Sequence, residues 1–218
     1  MNLPTSSILG VFVFSFLWGM GAVISPGPVS TAIVSQAPRQ GWSVGPLLAS
    51  GHAFLELILV ILISVGLGAG LAHPGIQTVI AILGGLVLIY MGAGMLLNTW
   101  QGKLHLPSQD EKLSPMSSRE IIGLGAIATL TNPFWYAWWV TAAASYLALV
   151  QVLGIAAIAA FFLGHIVADY AWDTLLSTVV GGGRRWMNDL VYRSLLVLCG
   201  GFFIFLGIQF LYRGVRLL

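Results

Sequence analysis

The chain has 218 residues, of which 7% are charged and 58% hydrophobic, with a mean hydropathy of +0.93 and a net charge of +2. A soluble domain carries about 25% charged residues, so this chain cannot supply a polar surface and its apolar excess must face lipid. The small net charge argues against a nucleic-acid partner, and the single Cys199 excludes an internal disulfide or a two-thiol redox relay.

A helix needs about 20 apolar residues to cross a bilayer core, and apolar segments of that size follow one another along the chain. The first runs from Ile8 to Ile24, meets Ser25-Pro26-Gly27-Pro28, and stays apolar to Val34. It has no basic start and exceeds a signal core, so no cleavable signal peptide is expected. The second runs from Trp42 to Leu71 and the third, after the turn His73-Pro74-Gly75, from Ile76 to Trp100. The longest polar stretch, residues 101–119, is a linker. The fourth segment, Ile121 to Leu149, is interrupted at Asn132-Pro133. The fifth runs from Val152 to Val180 and breaks at Gly181-Gly182-Gly183-Arg184-Arg185. The sixth runs from Val191 to Tyr212. The segments are too continuously apolar for barrel strands, which alternate, so they predict about six transmembrane helices in a single all-α membrane domain spanning the chain.

Lys and Arg set the orientation. Arg39, then Lys103, Lys112 and Arg119, then Arg184, Arg185 and Arg193 follow segments one, three and five, whereas the loops after two and four have none. The positive-inside bias places the first set in the cytoplasm and both termini outside, with Arg213 and Arg216 opposing.

The halves resemble each other. Gly51-His52 with Glu56 four residues after the His matches Gly164-His165 with Asp169. Gly84-Gly85 matches Gly200-Gly201, and Ser25-Pro26 matches Asn132-Pro133. Three spans is an odd number, so residues 1–100 and 120–218 form a 3+3 inverted repeat, with helices 1 and 4 broken at Pro. In such transporters the site lies near the midplane, between paired interrupted helices. Chance matching of abundant glycines is the competing explanation, weakened by the polar residues that match in order.

Two prolines around a glycine break a helix, because each removes a donor and clashes with the preceding turn. The freed ends offer a carbonyl end for a cation and a helix start for a carboxylate. Ser25, Pro26, Gly27, Pro28, Asn132 and Pro133 are therefore candidate substrate contacts, with a structural kink as the alternative. His52 and Glu56 share a helix face, as do His165, Asp169 and Asp173. Intramembrane ionisable residues mark ion or substrate paths by default, so these five are candidates for proton or cation coupling, against a purely structural His–acid bond. The aromatic run Phe134 to Trp139, with Trp135 and Tyr136 foremost, fits a cavity wall or an interfacial belt. The glycines of helices 3 and 6 suit internal packing or a homodimer.

With Ser25-Pro26-Gly27-Pro28, Gly51-His52 and Asn132-Pro133 together, the chain resembles the LysE/RhtB (lysine exporter / homoserine-threonine exporter) family of amino-acid exporters. The resemblance spans almost the whole chain. It implies an inner-membrane secondary transporter, an antiporter exporting amino acids or similar small metabolites and driven by a proton gradient. It departs at Phe134, where many members have Lys, and at Ser25, where Asn is frequent. Lysine export itself is therefore not implied, and the chain reads as a divergent branch. The competing function is a divalent-metal exporter using the His and carboxylate groups. An intramembrane enzyme ranks below both, since no catalytic motif appears. No cofactor or resident metal is expected.

Overall fold

The computed structural model describes residues 7–24, 27–67, 73–103, 115–139, 143–182 and 189–216. Ser25 and Pro26, most of the predicted linker and the basic break with Arg184 and Arg185 lie outside the described residues. The described residues form nine α-helices and no strand: α1 (Ile8–Val23), α2 (Pro28–Gln40), α3 (Val44–Leu62), α4 (Pro74–Trp100), α5 (Ser118–Leu130), α6 (Pro133–Trp138), α7 (Ala144–Gln151), α8 (Ile155–Gly182) and α9 (Asp189–Arg216). A short π-helical stretch, Ile63–Leu67, extends α3.

Local chemistry sets the ends. Ser7 caps α1 by accepting from the Gly10 amide, and Ser117 with Glu120 forms a reciprocal capping box on α5. Proline stands at the first position of α2, α4 and α6, where its missing N–H costs nothing. Gly41 closes α2 with φ 77° and Gly154 precedes α8 with φ 91°. A side chain at either would be strained in that left-handed conformation.

Among the described residues, four helices are long and apolar enough to cross a bilayer, and a fifth span results if α1 and α2, bent by 74°, are counted as one. The predicted fourth segment is broken at Asn132-Pro133, between α5 and α6; residues 140–142, between α6 and α7, lie outside the described residues. Asn132 caps α6 by accepting from the Phe134 amide at 3.1 Å, and Pro133 has no N–H with which to continue α5.

Glycines let the long helices touch. A Cβ on Gly85 would stand 2.8 Å from the Gly207 carbonyl, and one on Gly92 2.5 Å from the Gly200 carbonyl, so α4 and α9 run antiparallel along a seam of glycines. A Cβ on Gly51 would enter the Ile122 carbonyl of α5, and one on Gly164 the Phe12 carbonyl of α1. Backbone approach of this kind is how membrane helices gain packing contacts without a hydrophobic driving force between them.

Two apolar cores result. One gathers Val11, Val60, Trp139, Tyr146, Ala157 and Phe161; the other gathers Ile33, Val44, Leu48, Ile121 and Val180. They occupy opposite ends of α3 and α8, and the His–acid stripes of both helices fall between them.

Candidate functional site

The two stripes converge. His52 Nε2 lies 3.4 Å from Glu56 Oε1 and 3.5 Å from Asp169 Oδ2. His165 Nε2 lies 3.3 Å from Glu56 Oε2 and 3.5 Å from Asp169 Oδ2. Each imidazole thus touches the acid one turn along its own helix and the acid of the other helix. Gly51 and Gly164, immediately before the histidines, let α5 and α1 close against the backs of these helices.

The surroundings fix the chemistry of each member. Thr129 Oγ1 donates to the Gly125 carbonyl at 2.9 Å, so its proton is committed. It must then accept from His52 Nδ1, 2.9 Å away. A neutral His52 therefore turns a bare Nε2 towards two carboxylates, a clash that a proton or another cation in the cluster removes. His165 stacks on Trp138 with centroids 4.4 Å apart and planes 17° apart, and its buried Nδ1 has no hydrogen-bond partner. Gly19 makes room for that ring, since a Cβ there would stand 2.7 Å from His165 Nδ1.

Glu56 is 1% exposed, and its Oε1 accepts from the indole N–H groups of Trp135 at 2.7 Å and Trp139 at 2.8 Å. Two N–H donors on one oxygen fix its position, so the residues that follow the Asn132-Pro133 break hold the Glu56 side chain in place. Asp169 and Asp173 are also buried, but Asp169 Oδ2 and Asp173 Oδ1 have no hydrogen-bond partner among the described residues.

A cavity of about 80 Å³ opens beside the cluster. Gly27, Val29 and Ser30 at the start of α2 line one side, and Asn132, Phe134, Trp135 and Trp138 another. His52, His165, Asp169 and Asp173 supply its polar floor, and Leu88 and Phe203 close it. Of the predicted contacts, Gly27, Asn132 and Trp135 meet here with both histidines and both aspartates. Glu56 lies behind the histidines rather than on the wall. Pro28 is buried at the first position of α2 and Pro133 starts α6, while Tyr136 turns away and donates its hydroxyl to the Leu130 carbonyl at 3.0 Å.

Thr129 and Ser30 were missing from the predicted site, and Trp138 and Trp139 stood in the aromatic run read as a cavity wall without being singled out. For the tryptophans the aromatic run was visible in sequence, but nothing in it said which rings would face an acid on another helix.

The chain matches the family described as LysE type translocator over residues 20–214. It belongs to that family. The match takes in both Gly-His helices and both proline breaks. No curated protein and no solved structure matches the chain significantly. As a LysE type translocator with several apolar helices, the chain is a multi-pass membrane protein that moves a small molecule through a lipid bilayer, and its family consists of transporters rather than enzymes.

Proposed function

We propose that this LysE type translocator is a proton-coupled secondary transporter that exports amino acids or similar small metabolites across the inner membrane by alternating access. One observation carries the reading: two histidines, His52 and His165, and two buried acids, Asp169 and Asp173, line a cavity at mid-helix between two helix breaks. Intramembrane ionisable groups of this kind serve ion and substrate paths. The cargo sits where the breaks meet, against Gly27, Asn132 and Trp135. The His52, Glu56, His165 and Asp169 cluster carries the coupling proton.

The inverted repeat belongs to this proposal, and spacing supports it. Subtracting first-half from second-half numbers gives 154 − 41 = 113, 164 − 51 = 113, 165 − 52 = 113 and 169 − 56 = 113, for the left-handed glycine, the packing glycine, the histidine and the acid. Helix pairing agrees: exchanging the halves turns the α1–α8 contact into the α5–α3 contact and returns α4–α9 to itself. The two apolar cores at either end of α3 and α8 are then the plugs that open alternately. Orientation follows the Lys and Arg bias, with residues 101–119 cytoplasmic and both termini outside.

Counterflow in proteoliposomes with a labelled amino-acid mixture tests the reading. One solute class should move faster when a pH gradient is imposed; movement of no organic solute would remove it. A second reading, divalent-metal export, draws on His52, His165 and Asp169, whose ligand atoms lie within 4.8 Å of one another. Nitrogen and carboxylate donors suit zinc-like ions. A metal panel in the same vesicles separates the two.

A further inference from the structure

We propose that the cargo is a small organic cation recognised through its ammonium group by Asp173, and that a cargo carboxylate is dispensable. This rests on the transporter reading above and narrows its substrate class.

The argument begins with a charge count. Three buried acids, Glu56, Asp169 and Asp173, face two imidazoles, His52 and His165. Glu56 and Asp169 each lie within 3.5 Å of both imidazoles and are matched by them. Asp173 is the surplus. It forms no ion pair among the described residues, is 2% exposed, and presents an Oδ1 with no hydrogen-bond partner. It also lines the cavity, one helical turn from Asp169. An unmatched carboxylate inside a bilayer is expensive, and a cation from the cavity removes that cost.

The remaining walls agree. Among the described residues that line it, none is Lys or Arg. Phe134, Trp135, Trp138 and Phe203 border the same space, aromatic side chains of the kind that suits alkylammonium groups. A cargo carboxylate would find Asn132, Ser30 and the start of α2, since both imidazoles already face Glu56 and Asp169, and a helix start's partial charge of about +0.5 does not outweigh a neighbouring unmatched acid. The site is therefore built to read positive charge, and nothing in it demands a negative one.

Matched pairs test this in proteoliposomes, with flux through protein-free vesicles subtracted: leucine against 3-methylbutylamine, and lysine against 1,5-diaminopentane. Each amine should move at least about as fast as its amino acid, and Asp173→Asn should cut amine flux about tenfold or more, mainly through KM, with Asp173→Glu partly restoring it. An amino acid carried tenfold faster than its amine would overturn the proposal without touching the transporter reading, and so would undiminished amine flux in Asp173→Asn, since a permanently protonated Asp173 would tolerate that change. Amine flux indifferent to a pH gradient would leave the cargo assignment standing and remove proton coupling. If no organic solute moves, both fall. The wild-type pairs need no variant to fold.

Discussion

The same Gly-His-x-x-x-acid pattern occurs in α3 and in α8, yet the two acids meet different fates. Glu56 is clamped by two indole N–H groups and walled off behind the histidines. Asp169 has an oxygen with no hydrogen-bond partner and lines the cavity. The difference comes from the helix break at Asn132-Pro133, because α6 carries Trp135 at one end and leads into Trp139, and both reach across to the first-half acid. Neither Trp18 of α1 nor any residue of α2 does the same for Asp169 among the described residues. A near-symmetric scaffold has thus been made chemically one-sided: one acid holds the cluster together and the other faces what passes.

That contrast breaks most visibly at Glu56. Glu56→Ala leaves two buried indole donors and two imidazoles without their acceptor, and removal of one partner from a buried charged network costs about 3–5 kcal/mol. Thermal unfolding in detergent should show this loss, with a smaller one for Asp169→Ala. Equal losses would end the assignment of Glu56 as the structural member. The opposite order is expected in transport. Asp169→Asn keeps the shape and an acceptor but loses the exchangeable charge, so gradient-driven flux should fall on the order of a hundredfold in a protein that still melts near the wild-type temperature.

A purely steric variant sharpens the comparison. Gly51→Ala drives a Cβ into the Ile122 carbonyl of α5, and overpacking of this kind costs about 1–3 kcal/mol. Gly94→Ala meets nothing within 4 Å and should be silent. If both were silent, close approach of α3 and α5 would not be what seats His52 against Thr129.

Much of this was legible in the residues themselves. Pro-Gly-Pro announced the end of α1, Asn132-Pro133 the end of α5, and the four-residue spacing put each histidine and acid on one face. Sequence could not show that the two faces meet, because spacing sets a side chain's direction on its own helix and says nothing of the neighbour's. Trp139 and Glu56 are 83 residues apart, and no local pattern joins them. The common spacing of 113, by contrast, was present in the sequence from Gly41 to Asp169 and is plain once the left-handed glycines are known.

The smallest expected effect tests how finely the cluster is tuned. Thr129→Val keeps volume and removes the acceptor of His52 Nδ1. An unsatisfied donor of this sort costs about 1 kcal/mol, and Thr129→Ser should recover it, because Ser can also back-bond to the Gly125 carbonyl. Stability alone would not distinguish this bond from any other, so the tautomer is the better readout. In the wild type the threonine commits Nδ1 as the donor, and a neutral His52 ring carries its proton there. In Thr129→Val the proton gains more at Nε2, where Glu56 Oε1 and Asp169 Oδ2 wait at 3.4 and 3.5 Å. Nitrogen-15 NMR of labelled histidine should therefore show the neutral ring changing tautomer. An unchanged spectrum would mean that the acids, not Thr129, already dictate where the His52 proton sits.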